Sequence, residues 1–168
     1  GPVSSHFTEI SAALTMLSSV ATLRLEELKP ASASELLNDG IAPRGIDPIP
    51  ERTWLCDGPF AELCKVVPLD DLDLLLLVAA VAPSVDDRYG PMLASLSARA
   101  DCTAVTGEVL RNLGGRTIAG RARATQALGP EGLLRRTRLI DLAPSEDGPL
   151  AGKVSVSRRA LELLIDAP

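Results

Sequence analysis

The residues that most often do chemistry are scarce in this chain of 168 residues. His6 is the single histidine, and the three cysteines are Cys56, Cys64 and Cys102. A serine or cysteine nucleophile needs a base within hydrogen-bond reach, usually histidine. His6 falls near the N-terminus, in a helical stretch, and pairs with no such nucleophile. An odd cysteine count without a CxxC pair argues against a disulfide framework and against a zinc site, and reads as reduced, buried thiols. Asp70, Asp71 and Asp73 stand just before an apolar run, where carboxylates cap a helix and meet the positive end of its dipole. The glycine-rich stretch Asn112–Gly120, NLGGRTIAG, contains no lysine. It does not fit GxxxxGK[ST], in which backbone amides cradle phosphates and the lysine reaches the terminal ones. It reads as a turn between helices. No pair of carboxylates stands out for acid–base work. The chain is expected to be no enzyme, with no metal or cofactor site of its own.

The elements that must position any site are mostly helices. Hydrophobic residues make up 46%, charged residues 23% and aromatics 2%, so the core is built from Leu, Val, Ile and Ala and offers few stacking platforms. Ser4–Lys29 reads as one long helix of ~37 Å. Its Phe7, Ile10, Leu14, Leu17, Ala21 and Leu28 form a seam that Arg24 interrupts. The seam either crosses the domain core or meets a partner helix. Prolines 30, 43, 48 and 50 mark a linker, giving an expected division into an N-terminal helix (1–30), a linker (31–57) and a compact domain (58–168). Gly1-Pro2 reads as a protease scar left from expression, which implies a longer parent protein.

Within the compact part, Gly58-Pro59 starts a short helix to Val66. Asp70 or Asp71 caps an almost wholly apolar helix that stops at Ala82-Pro83. Further helices are expected at Asp86–Ser97, Thr103–Leu113 and Thr117–Leu128. Leu133–Leu142, LLRRTRLIDL, reads as a strand, Ala143–Gly152 as a turn-rich loop and Lys153–Val156 as a second strand. Ser157 caps a last helix, Arg158–Ile165. No signal peptide is visible. The longest apolar run, Leu74–Ala82, is far short of the roughly 20 residues of a membrane span. A cytoplasmic location follows as the expectation.

The block LDLLLLVAAVAPSVDDRYG, the Thr103–Leu113 helix, LLRRTRLIDL and the return KVSVSRRALELL resemble the variant winged-helix domain found N-terminal to AAA-plus ATPase modules, including those associated with contractile injection systems. The resemblance covers roughly 100 residues, from Pro68 to Ile165. It implies a mainly α fold with a C-terminal β-hairpin wing, preceded here by the long N-terminal helix. It also implies a non-catalytic adaptor or regulatory role, with ATP and magnesium held by a motor domain outside this chain, and an oligomer formed through that motor.

Two kinds of partner follow from the arginines. Leu14 and Leu17 on the first seam, with Arg135, Arg136 and Arg138 on the expected strand, are the candidate contacts for a protein partner or a neighbouring motor subunit. Alternation would put Arg136 and Arg138 on one face and Arg135 on the other. The alternative is DNA, with a recognition helix in the major groove and a wing on the backbone. Arg116, Arg121 and Arg123 would then make the contacts. Charge disfavours this alternative. The net charge is −5, and residues 1–100 hold 7 Lys/Arg against 14 Asp/Glu while residues 101–168 hold 10 against 8, so no helix is densely cationic.

Overall fold

The structure, a computed structural model, describes residues 2–28 and 49–165; most of the proline-rich linker lies outside them. Helix α1 spans Pro2–Glu27. A 3-10 turn at Arg52–Trp54 leads into α2, Pro59–Val66. Then follow α3 (Asp71–Val85), α4 (Tyr89–Ala94), α5 (Gly107–Gly114), α6 (Ile118–Leu128) and the single turn α7 (Leu133–Arg136). Strands β1 (Ile140–Leu142) and β2 (Val154–Val156) precede the last helix, α8 (Arg158–Leu164).

The central element is α3. Asp70 accepts from the Asp73 amide at 2.8 Å, and its own amide donates to the Asp73 carboxylate at 3.1 Å. That reciprocal box holds the first turn. From Leu72 to Ala79 every residue is buried. Leu74 to Leu77 are each at most 1% exposed, and each such leucine contributes ~2 kcal/mol by leaving water. The helix does not stop at Pro83 but runs through it to Val85. A proline so near the C-terminus removes only one intrahelical donor.

Around α3 pack Ala13, Leu17, Val20 and Ala21 of α1, Val109, Leu110 and Leu113 of α5, and Leu128 of α6, all in one core. The first seam therefore crosses the domain's own core. Arg24, its apparent interruption, is 1% exposed. Its Nε–H donates to the Leu113 carbonyl at 2.9 Å and Nη1 lies 3.4 Å from Glu27. Trp54 and Phe60 close one end of the core edge to face, with centroids 5.6 Å apart.

Thr106 and Thr117 cap α5 and α6 through the amides of Val109 and Gly120, at 3.2 and 3.0 Å. The turn between these helices is tight because Gly115 lacks a side chain; a Cβ there would strike the carbonyl of Gly120. The NLGGRTIAG stretch is thus a helix–turn–helix corner. It does not fit a phosphate cradle, since the amides of Gly120 and Arg121 are taken by Thr117.

The sheet is antiparallel, with Ile140 opposite Val156 and Leu142 opposite Val154. Thr106 bridges to Lys153, and the Val154 amide donates to the Val105 carbonyl at 2.9 Å. The strand containing β2 therefore lies between β1 and the residues that lead into α5, and the loop 143–153 projects from it. The expected strand Leu133–Leu142 is corrected: its first half is the helical turn α7. Arg138 then takes φ 59°, a left-handed conformation that breaks any strand alternation, and pairing begins only at Ile140.

Candidate functional site

The helix–turn–helix α5–α6 carries the three arginines expected to reach DNA, and the loop 143–153 joins the two strands of the expected wing. The outer face of α6 shows Ile118, Ala119, Ala122, Arg123, Thr125 and Gln126 to solvent, with Ile118 72% exposed. Of the three arginines expected to reach DNA, Arg116 pairs with Glu27 of α1, Nε to Oε2 3.3 Å. Arg121 donates to Asn112 Oδ1 at 2.7 Å, and Asn112 in turn donates to the Leu96 carbonyl at 2.7 Å. Burial, and then the nearby Arg111 charge, hold the Arg121 guanidinium below its ordinary pKa. Arg123 is exposed, and its side chain makes no hydrogen bond or ion pair among the described residues.

The loop 143–153 is acidic at its tip. Glu146 and Asp147 are exposed there. Arg99 ties the loop to α5, donating to Glu108 Oε1 at 2.8 Å and to the Asp147 carbonyl at 3.4 Å. The Arg99 guanidinium holds the Glu108 carboxyl below the usual range. Lys153 is the one lysine of this loop, at its base.

A broad open cleft of about 860 Å³ separates the start of α3 from the end of α6, with Asp70, Asp71 and Asp73 on one wall and Arg123 and Gln126 on the other. Arg52 bridges Asp71 at 2.8 Å and the Leu69 carbonyl at 3.0 Å. Burial, outweighing the Asp70 amide, pushes the Asp73 carboxyl up to about 6.

The five candidates for protein contact separate. Leu17 is 0% exposed and Leu14 is half-buried beneath Tyr89, whose hydroxyl donates to the Leu14 carbonyl at 3.4 Å. Leu17 faces inward because α3 and α5 supply the apolar surface that covers it, so it presents no contact face; Leu14 stays partly exposed in a shallow groove with Thr15, Ser18 and Tyr89, and Phe7 and Leu28 near the ends of the seam are 71% and 44% exposed. Arg135, half-buried, lies 3.7 Å from Asp141 and 3.5 Å from the Leu128 carbonyl. Arg136 and Arg138 are exposed. All three flank the α7–β1 turn, and the backbone bond from the Ser157 amide to the Leu139 carbonyl brings the start of α8 next to it, with the exposed Arg158 and Arg159 following Ser157 in sequence. Cys56, Cys64 and Cys102 are free and half-buried rather than fully buried; burial raises the Cys64 thiol pKa.

A capped three-helix core of α3, α5 and α6, a strand residue leading into α5, and a β1–β2 hairpin with a projecting loop are the parts of a winged helix, a class that serves DNA-binding or adaptor roles. Residues 49–167 match the family described as winged helix domain, variant. The chain belongs to that family. No curated protein matches the chain, and no solved structure does. Among the described residues, no helix is long and apolar enough to cross a membrane.

Proposed function

We propose that the domain is a non-catalytic adaptor of a cytoplasmic AAA-plus ATPase of the contractile-injection type, docking a protein partner or a neighbouring motor subunit. ATP and magnesium would belong to the motor. The observation that supports docking over DNA readout is the charge of the would-be DNA face. Two of its three arginines are engaged by the chain's own Glu27 and Asn112, and the tip of the wing carries the exposed acids Glu146 and Asp147. A duplex needs several free cations along its backbone, with affinity falling steeply as salt rises.

Two measurements test this reading. The coding sequence past Pro168 should reach a GxxxxGK[ST] run within roughly 200 residues; without one the motor assignment fails. Titration of labelled duplex DNA at low salt should show no binding. Salt-sensitive binding that Arg123→Gln abolishes would restore DNA as the partner.

A further inference from the structure

The α7–β1 turn and the start of α8 are adjacent in space. The Ser157 amide donates to the Leu139 carbonyl at 3.2 Å, so Arg138 and Arg158 flank one hydrogen bond on neighbouring segments. These two segments carry five arginines, 135, 136 and 138 on one and 158 and 159 on the other. Among the described residues, the carboxylates paired with them are Asp141, 3.7 Å from Arg135, and Glu162, 3.2 Å from Arg158. The Arg158–Glu162 pair is highly exposed, with side chains 93% and 59% accessible, and so holds little charge back. Arg136, Arg138 and Arg159 are exposed and make no side-chain hydrogen bond or ion pair among the described residues.

Arg138 is the informative member. Its φ of 59° is the region where glycine or asparagine sits at least cost. The fold uses only its backbone: its amide donates to the Arg135 carbonyl at 3.0 Å and ends α7. Arg138 also lines a pocket of about 470 Å³ with Pro130, Arg135, Ile140, Asp141, Ser155 and Ser157, in which Asp141 is the one carboxylate and lies 3.7 Å from Arg135. A strained conformation kept with an unused cationic side chain points to a role outside the fold.

We propose that this face receives an acidic segment of a partner protein, with carboxylates bound by Arg136, Arg138 and Arg159 and one side chain seated in the pocket. The inference rests on the docking reading above and names its chemistry. The patch carries +3 in a chain of net −5, leaving −8 on the rest. A duplex polyanion would meet that acidic remainder and the acidic wing tip, whereas a short carboxylate segment contacts the basic end alone. Arginine suits the task because its planar fork binds carboxylates in pairs of hydrogen bonds.

The test uses fluorescence anisotropy on the whole chain with three probes: a labelled peptide of Glu, Asp and Gly, its Gln/Asn counterpart, and a duplex of about 20 base pairs. The acidic peptide should bind in a salt-sensitive way and the neutral one should not. Arg138→Gly should weaken binding about tenfold while the thermal midpoint stays level or rises, since glycine relieves the left-handed turn. The Arg136→Gln, Arg159→Gln double variant should weaken it likewise, and Arg123→Gln, on another face, should not. Unchanged peptide affinity in both arginine variants overturns the proposal. Duplex binding lost in those same variants overturns it in favour of nucleic acid, and with it the docking reading. Binding of neither probe removes this site while leaving docking through another face.

Discussion

The Glu9 carboxylate and the Phe60 amide meet at 2.6 Å, although 51 residues separate them in sequence. Gly58, the residue before α2, has no side chain with which to cap it. Glu9 does so from α1: its other oxygen accepts from the amides of Cys56, Gly58 and Ala61 at 3.2, 3.1 and 3.3 Å. Glu9 itself is 0% exposed. A buried carboxylate is tolerable there because four N–H groups at the positive end of a helix replace its water.

Glu9→Gln should therefore lower unfolding free energy by about 2–4 kcal/mol in urea titration, since an amide group presents hydrogens to donors. Gly58→Ala should act through the same contact. Its Cβ would stand 2.7 Å from Glu9 Cδ and displace the carboxylate. The two changes should be strongly non-additive in a double-mutant cycle; simple additivity would refute the shared cap.

At the other end of α1, Arg24→Met keeps the apolar length but strands the Leu113 carbonyl at the end of α5. Circular dichroism melts should show a loss of about 1–3 kcal/mol. A neutral result would mean that the bond to Leu113 contributes nothing net.

Asp73 gives a pH signature. Its carboxyl rises from 3.8 to about 6 on folding, chiefly through burial. Between those values the folded state binds more protons than the unfolded one, so this group's contribution is present at low pH and is lost as pH rises through about 6. Asp73→Asn, which keeps an acceptor for the Asp70 amide, should be more stable than the parent at pH 7. That advantage should shrink as pH falls towards 4. An advantage that grows on acidification would contradict the burial account.

The wing base depends on Gly152. A Cβ there would land on the Ala143 carbonyl oxygen, where the Ala143 amide donates to Lys153 at 2.9 Å. Gly152→Ala should cost about 1–3 kcal/mol and speed amide hydrogen exchange at Val154 and Leu142, leaving α3 protected. Uniform acceleration across α3 would show instead that the hairpin and core open together.

Local chemistry made most elements legible in the sequence. The signal Gly58-Pro59, the caps at Asp70 and Ser157, and the apolar run from Leu74 each depend on neighbours within a turn or two, and each held in the structure. Long-range pairings were not legible. The role of Glu9 leaves no local mark, because its partners lie around residue 58. Arg24 read as a fault in the seam because apolar periodicity does not register a buried cation satisfied by a distant carbonyl. The run RRTR read as a strand because alternation carries no sign of φ, and Arg138 turns on that sign. The arginines at 158 and 159 read only as the start of the last helix. The segment that carries them is joined to that of Arg138 by one backbone bond, Ser157 to Leu139, that no periodicity encodes.

The two polar clasps on α1, Glu9 at one end and Arg24 at the other, with Leu17 and Ala21 sealed between them, make the helix a stored ligand of its own domain. A chain severed between residues 28 and 49 should reassemble from its two pieces. Residues 1–28 supplied as a separate peptide should restore the melting transition of residues 49–168. The winged helix would then be a fold completed by complementation, and whatever competes for that groove would control whether it is complete.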